Sequence, residues 1–430
     1  MAHEPRQRKD QRMRVAVIGA GVIGVTTAWY LQEAGAEVVL LDAAAAPASG
    51  SSFANGGMLH ASHAEPWNAP GVGLDLLRYL GRRDSPLLVR PHAIPGLIGW
   101  GLRFLGNSRR ARFEEHTRLN ARLAAFSLKE IDRLQRKLAP EGLDFDFRRS
   151  GILKLFQDPA SQARNRAASE DMADAGVRFE DWTVERIIAE EPALAPVRDQ
   201  LCGGLYFPDD AIGDAARFTA GLLAIARRRG LTYCPGVAVR RLRTFRGRLD
   251  ALETSEGPIA ADACVVANGY HAPDLLRPLG IRLPVAPVKG YSLTLPMDAE
   301  TRIHLPLIDD ANKVVMTPLG DRLRLAGTAE FAGRDGSLNP QRAASVLDHC
   351  RRTLASLPDR MDAETMAPWT GLRPMSARGT PILGATVVPG LYLNTGSGHL
   401  GWTFACGAAA LVCDSVLGET PALPMDGLTL

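Results

Sequence analysis

The alternation of apolar and polar positions is sharpest near the start of the chain. Val15, Ala16, Val17 and Ile18 form a short apolar run, followed by Gly19-Ala20-Gly21-Val22-Ile23-Gly24. Helical spacing then continues to Ala34, Gly35 stops it, and a second apolar run from Val38 to Leu41 ends at Asp42. The pattern predicts strand, Gly-rich turn, helix, strand and a terminal acid. From 74 to 138 the spacing is helical, broken by Pro86, Pro91 and Pro95, with one amphipathic helix over 118–138. Strands are predicted at 151–156 and 205–207, and a helix at 215–229. Apolar runs at 237–239, 264–267 and 391–393, each bounded by Gly or Pro, predict buried strands, and 291–295, 314–317 and 322–326 alternate like an antiparallel sheet. A last helix is predicted over 403–417. No run approaches the ~18 consecutive apolar residues of a membrane span.

With parallel-type elements at both ends and in the middle, and antiparallel material between them, the fold class is α/β with an α+β second domain. The two domains are expected to intertwine. The length of 430 residues, against a prior of about 150 per domain, agrees. A hydrophobic share of 46% and a charged share of 23% exclude a disordered or collagen-like chain. Net charge is +3 and the basic residues are scattered, so no nucleic-acid footprint is expected. None of the six cysteines forms a Cys-x-x-Cys pair or sits at zinc spacing with a histidine, which predicts free thiols, a reducing compartment and no metal site. Residues 1–12 are charged without an apolar core, so they read as a disordered extension and not as a secretory signal.

The glycine triplet carries the first chemistry. Gly19 permits the tight turn, Gly21 lets backbone approach a pyrophosphate, and Gly24 lets the helix pack close to the strand. The helix N-terminus, at Val22 and Ile23, offers unpaired N–H groups and partial positive charge to phosphates. Asp42, eighteen residues past Gly24, is placed to accept from a ribose 2′-hydroxyl. A dinucleotide is expected here, and the triplet alone does not separate FAD from NAD.

Five further segments separate them: 48–71 (ASGSSFANGGMLHASHAEPWNAPG), 261–270 (ADACVVANGY), 287–296 (PVKGYSLTLP), 369–384 (WTGLRPMSARGTPILG) and 391–407 (LYLNTGSGHLGWTFACG). In colinear order from about Arg14 to Leu423 they resemble the D-amino-acid dehydrogenase branch of the flavin-dependent amine oxidoreductases, which include D-amino-acid, glycine and sarcosine oxidases. The resemblance implies a Rossmann-type FAD-binding domain (13–95, 195–280 and 365–425) interleaved with a substrate-binding domain (96–194 and 281–364). The FAD is expected to be held non-covalently. Ser51, Ser52 and Asn55, with Gly56, Gly57 and Met58, match the loop that holds the pyrophosphate and approaches the isoalloxazine. Val239 matches an adenine contact, Ala267 and Gly269 a turn on the cofactor, and Gly398, His399, Leu400, Gly401 and Thr403 part of the turn beside the flavin ring. The helix after that turn would aim its positive end at the flavin.

The resemblance also places a substrate-carboxylate arginine at Arg373, whose planar fork suits bidentate binding. Tyr291 is either a pocket hydroxyl or simple packing, and Lys289 either neighbours the flavin or snorkels. Relatives tend to read Thr-Gly-His-Gly-Thr where this chain has Thr395-Gly396-Ser397-Gly398-His399, and Pro-Asp-Gly where it has Ala377-Arg378-Gly379. Asn312 stands where a tyrosine is common. These departures bear on the substrate more than on the fold.

The implied reaction is oxidative deamination of a small or apolar D-amino acid such as D-alanine to a 2-oxo acid and ammonia. Hydride passes from Cα to flavin N5, and electrons go on to a quinone or respiratory acceptor. Open alternatives are an oxidase or dehydrogenase for glycine, sarcosine, D-proline or hydroxyproline-type imino acids, a non-catalytic FAD-binding subunit of a hetero-oligomer, and a nicotinamide dehydrogenase. Residues 71–112 mix aromatic, aliphatic and arginine side chains, the composition of an interfacial segment or of an ordinary helical hairpin. The expected location is cytoplasmic, with peripheral contact at the inner face of the cell membrane through 71–112.

Overall fold

The computed structural model describes residues 12–73 and 87–430. The predicted extension at 1–12 falls outside the described residues except at Arg12, as does the 74–86 part of the amphipathic stretch.

The strand–turn–helix–strand opening forms as Arg14–Ile18, Val22–Glu33 and Glu37–Asp42. Across the six-stranded sheet the order is Ile382–Ala385, Leu391–Thr395, Ala263–Val266, Arg14–Ile18, Glu37–Asp42 and Thr232–Pro235. Every neighbouring pair is parallel except the first. Both faces are covered, as a parallel sheet requires. Val15 and Val17 pack into one apolar cluster while Ala16 and Ile18 pack into another. The first cluster takes in the helices Val22–Glu33, Arg110–Leu138, Ala215–Arg228 and Gly401–Leu417. The second is roofed by the antiparallel strands Val239–Phe245, Arg248–Thr254 and Gly257–Ala260.

By length and composition the stretch Gly398–Leu417 could cross a membrane, but it is mostly buried inside the fold. Gly407 makes close packing possible there: its N–H donates to Ser127 Oγ at 2.9 Å, and a Cβ would stand 2.8 Å from that of Ser127. It is a core helix.

The larger sheet has nine strands. Its main path runs Trp369–Ser376, Val285–Pro296, Arg322–Phe331, Val314–Leu319, Leu307–Asp309, Ile152–Phe156, Gly203–Phe207 and Glu180–Trp182, with Leu87–Val89 beside Arg322–Phe331. The alternating segments at 291–295, 314–317 and 322–326 are antiparallel neighbours here. Leu293, Leu295, Leu323 and Leu325 turn one face toward the helix Pro340–Arg351.

Three strands expected with the nucleotide-binding part, Leu87–Val89, Gly203–Phe207 and Trp369–Ser376, pair into this larger sheet. The helix Arg110–Leu138, expected with the substrate part, packs on the C-terminal helix. The run at 237–239 is also not a buried strand. Thr232–Pro235 is the edge of the parallel sheet, and Val239 opens an exposed hairpin in which Arg240, Arg241 and Arg243 face outward.

Candidate active site

A cavity of about 1060 Å³ runs from the glycine turn of the six-stranded sheet to the face of the larger sheet. At its first end lie Gly19, Gly21, Val22, Ile23, Asp42 and Val239. Gly19 has φ +106°, and a Cβ there would meet the Ala267 carbonyl oxygen at 2.7 Å. Gly24 does not reach the cavity. It is needed for packing, since its Cβ would stand 1.7 Å from the Gly19 oxygen. Only hydrogen leaves room for strand and helix to close here. Asp42 accepts from Ala20 N at 2.5 Å and from Ala44 N at 2.7 Å, which fixes the turn beneath it. Val22 N donates to Ser52 Oγ at 3.0 Å, tying the 51–58 loop to the helix start.

Ser51, Asn55, Gly56, Gly57, Met58, Ala267 and Gly269 line the middle of the cavity. Gly398, His399 and Gly401 close it at the start of the helix Gly401–Leu417. Leu400 and Thr403 stand behind this wall. Leu400 is core, and Thr403 Oγ1 accepts from His60 N at 3.3 Å. Ser52 takes the Val22 N–H, but neither helix is capped by its own N-cap side chain, so the first turns beyond Val22 and at Gly401 keep partial positive charge.

The far end is built on two facing glycines. Gly290 and Gly371 are opposite one another on neighbouring strands. A Cβ on Gly290 would strike the Arg373 guanidinium at 2.3 Å, and one on Gly371 would strike the Trp369 ring at 2.1 Å. Arg373 and Trp369 therefore lie across a floor without side chains. Among the described residues, Arg373 makes one hydrogen bond, from Nη1 to the Thr328 carbonyl at 3.4 Å. Burial lowers its pKa to about 10, with no carboxylate among the described residues offsetting it. An unpaired guanidinium fork on a cavity wall can take a carboxylate through two parallel hydrogen bonds.

Tyr291 sits on the opposite face of its strand. Its backbone borders the cavity, but the ring is in the core behind the sheet, and its hydroxyl donates to Glu330 Oε2 at 2.6 Å. The expected pocket hydroxyl is thus committed elsewhere, because one residue along a strand reverses the face. Lys289, two residues earlier, follows the same parity and bonds Asp335 and the Ser337 carbonyl, each at 3.0 Å.

Three residues that the sequence reading did not single out complete this end: His60, His63 and Trp67. Trp67 stacks on His399 at 5.2 Å and 22°, and the Arg373 guanidinium carbon is 5.7 Å from the same indole. His63 meets His60 and His399 edge-on. Burial lowers all three imidazoles, His60 to about 4 and His399 to about 3, so they are neutral at pH 7. The spacing of His60, His63 and Trp67 in HASHAEPW was a visible signal. The 332-residue gap between Trp67 and His399 hid their meeting.

The cavity wall holds buried polar atoms without a hydrogen-bond partner among the described residues: Asn268 Oδ1, Thr328 Oγ1, Asn394 Oδ1, Ser397 Oγ and His399 Nε2. Such atoms cost ~1–3 kcal/mol each unless something pairs with them. Together with the two helix N-termini and the glycine cradle, they fit an elongated, phosphate-bearing, polar-headed group such as a flavin dinucleotide. No cysteine is among the lining residues.

Comparison with known proteins agrees. The chain is 44% identical to a D-amino acid dehydrogenase of Paramagnetospirillum magneticum, over 97% of this chain and 98% of that protein. It is 42% identical to one of Rhizorhabdus wittichii, over 97% and 99%. Among solved structures, glycine oxidase from Geobacillus kaustophilus superposes with a TM-score of 0.76 at 22% identity, covering 97% of this chain and 98% of that one. L-proline dehydrogenase from P. horikoshii also gives 0.76, at 17% identity and 97% of each chain. Residues 14–415 match the FAD dependent oxidoreductase family. Fold, cradle and sequence relationship agree: the chain belongs to the FAD-dependent oxidoreductases.

Proposed function

We propose that the chain oxidises D-amino acids to 2-oxo acids and ammonia, consuming water and passing two electrons through FAD to a quinone or other respiratory carrier. The observation that carries this reading is Arg373, a half-buried guanidinium with no carboxylate partner among the described residues, laid across Gly290 at the end of a dinucleotide-shaped cavity. The relatives named D-amino acid dehydrogenase at 42–44% identity support the substrate class.

FAD supplies the hydride acceptor when bound. In this reading Gly19, Gly21, Val22, Ile23, Ser51 and Ser52 hold its pyrophosphate and Asp42 its ribose, while Val239 meets adenine. Asn55–Met58, Ala267, Gly269, Gly398, His399 and Gly401 surround the ring system. The six-stranded part then carries the cofactor, and the larger sheet presents the substrate face. Arg373 orients the substrate by its carboxylate. The neutral His60, His63 and His399 enclose the substrate without adding a competing cation. The amine loses its proton to solvent, so activity rises with pH.

The helix Ile94–Gly106 supports a membrane-side acceptor. Trp100, stacked on Phe104 of the same helix, packs on Phe331, and its Nε1 donates to the Met375 carbonyl at 2.9 Å. Ile94, Ile98, Leu102 and Leu105 are exposed on it, with exposed Arg103, Arg109 and Arg112 beside them. An apolar face edged by arginines suits an anionic lipid surface. In this reading the helix docks the protein on the inner face of the cell membrane. Co-flotation with phosphatidylglycerol vesicles, lost in an Ile98→Glu/Leu102→Glu variant that keeps its flavin, is the expected result. Equal flotation of both would refute the contact.

Kinetics of Arg373→Lys and Arg373→Ala test the central assignment. With the clamp removed, kcat/KM for D-alanine falls about 30-fold or more, the loss for truncating one side of a buried charge pair. Near-normal values in Arg373→Ala would overturn it.

A further inference from the structure

Thr328 is a β-branched residue in the left-handed region, with φ +57°. That conformation is a genuine outlier for such a side chain, and residues held this way cluster where a site needs them. The cause is local. Lys289 pairs with Glu330 and Tyr291 pairs with Gly327, so the strand Arg322–Phe331 carries one extra residue opposite Gly290. A bulge of this kind re-aims the groups it contains.

The bulge sends Thr328 to the cavity wall beside Arg373. Its carbonyl accepts the one hydrogen bond that Arg373 makes among the described residues. Its hydroxyl, in a residue only 6% exposed, has no partner there. A threonine core position normally satisfies its hydroxyl on the carbonyl of its own strand or helix. Here a strained backbone and an unsatisfied hydroxyl occur at one cavity-lining residue.

We propose that Thr328 completes the carboxylate clamp. Its carbonyl sets the orientation of the Arg373 fork, and its hydroxyl donates to the substrate carboxylate. The bulge exists to bring both groups to one point. This inference rests on the reading of Arg373 as the carboxylate site and extends it to a residue on a different strand.

The test uses flavin-loaded enzyme and isobutyrate, a carboxylate of alanine's size that lacks the amine. Binding is followed by the change it makes in the flavin visible spectrum. Thr328→Ser keeps the hydroxyl and is expected to bind like the wild type. Thr328→Val and Thr328→Gly are expected to bind about tenfold more weakly, the loss of one hydrogen bond to a charged group. Thr328→Gly also adopts the left-handed conformation freely, so its melting temperature stays close to that of the wild type while its binding falls. A merely structural role would lower melting temperatures and leave binding alone, which overturns the proposal. If Arg373→Lys abolishes isobutyrate binding while the Val and Gly variants retain it within twofold, only the role of Thr328 is refuted. If Arg373→Lys also binds normally, the carboxylate-site reading falls and the Thr328 proposal with it.

Discussion

Gly290→Ala isolates the geometry of the clamp without touching its chemistry. The new Cβ would lie 2.3 Å from three atoms of the Arg373 guanidinium. Ordinary contact begins near 3.4 Å, so the guanidinium must retreat by about 1.1 Å. The atoms it meets are the end of a flexible side chain, so the fold gives way locally and stability changes little. A substrate-positioning group displaced by about 1 Å can cost on the order of 100-fold in rate. The predicted signature is a 10- to 100-fold drop in kcat/KM for the amino acid, with flavin content and melting temperature near wild type. Gly336→Ala, where a Cβ meets nothing within 4 Å, is the matched control. An unchanged kcat/KM in a folded, flavin-loaded Gly290→Ala would refute the claim that Arg373 must lie across this strand.

Tyr291→Phe should keep kcat/KM within about twofold and lose about 1–2 kcal/mol of stability in denaturant unfolding, because its hydroxyl serves Glu330. A large loss of activity would return Tyr291 to the pocket. Gly24→Ala, with its Cβ 1.7 Å from the Gly19 oxygen, should give a poorly folded, colourless protein, and recovery of normal flavin content would contradict the packing. Asp210 accepts from Ser62 Oγ and Ala61 N, and burial pushes its carboxyl up to about 7. The folded state therefore holds this proton more tightly than the unfolded chain. The contribution is full below about pH 4 and is lost as pH rises to 7, at about 1.4 kcal/mol per unit. Asp210→Asn should remove that slope, so its stability advantage over wild type widens from pH 4 to 7. A pH-independent difference would place the proton elsewhere.

The nucleotide end was legible because its constraints are local. Gly19, Gly24, Asp42 and the two flanking strands lie within thirty residues, and each has one conformational reason to be what it is. Arg373 was legible through resemblance, and its alignment with Gly290 needed the strand register. The same register decides the alternatives left open for Tyr291 and Lys289. Each sits one residue from Gly290, and parity alone sends both behind the sheet. The run at 237–239 looked buried because three apolar residues carry no record of the arginine-rich hairpin that follows. The meeting of Trp67 with His399, and the role of Thr328, stayed hidden for a different reason. These residues come from three distant segments, and the strain at Thr328 is a property of a bulge that no sequence pattern displays.

In the proposed reading this cavity oxidises a D-amino acid held by Arg373 against FAD. Anaerobic addition of D-alanine or L-alanine to the purified protein, read at the flavin visible band, tests it most directly. The expected result is bleaching with the D-isomer alone, at least about 30-fold slower in Arg373→Ala, and slow recolouring when air is admitted. Bleaching by the L-isomer, or equal bleaching in Arg373→Ala, would contradict it.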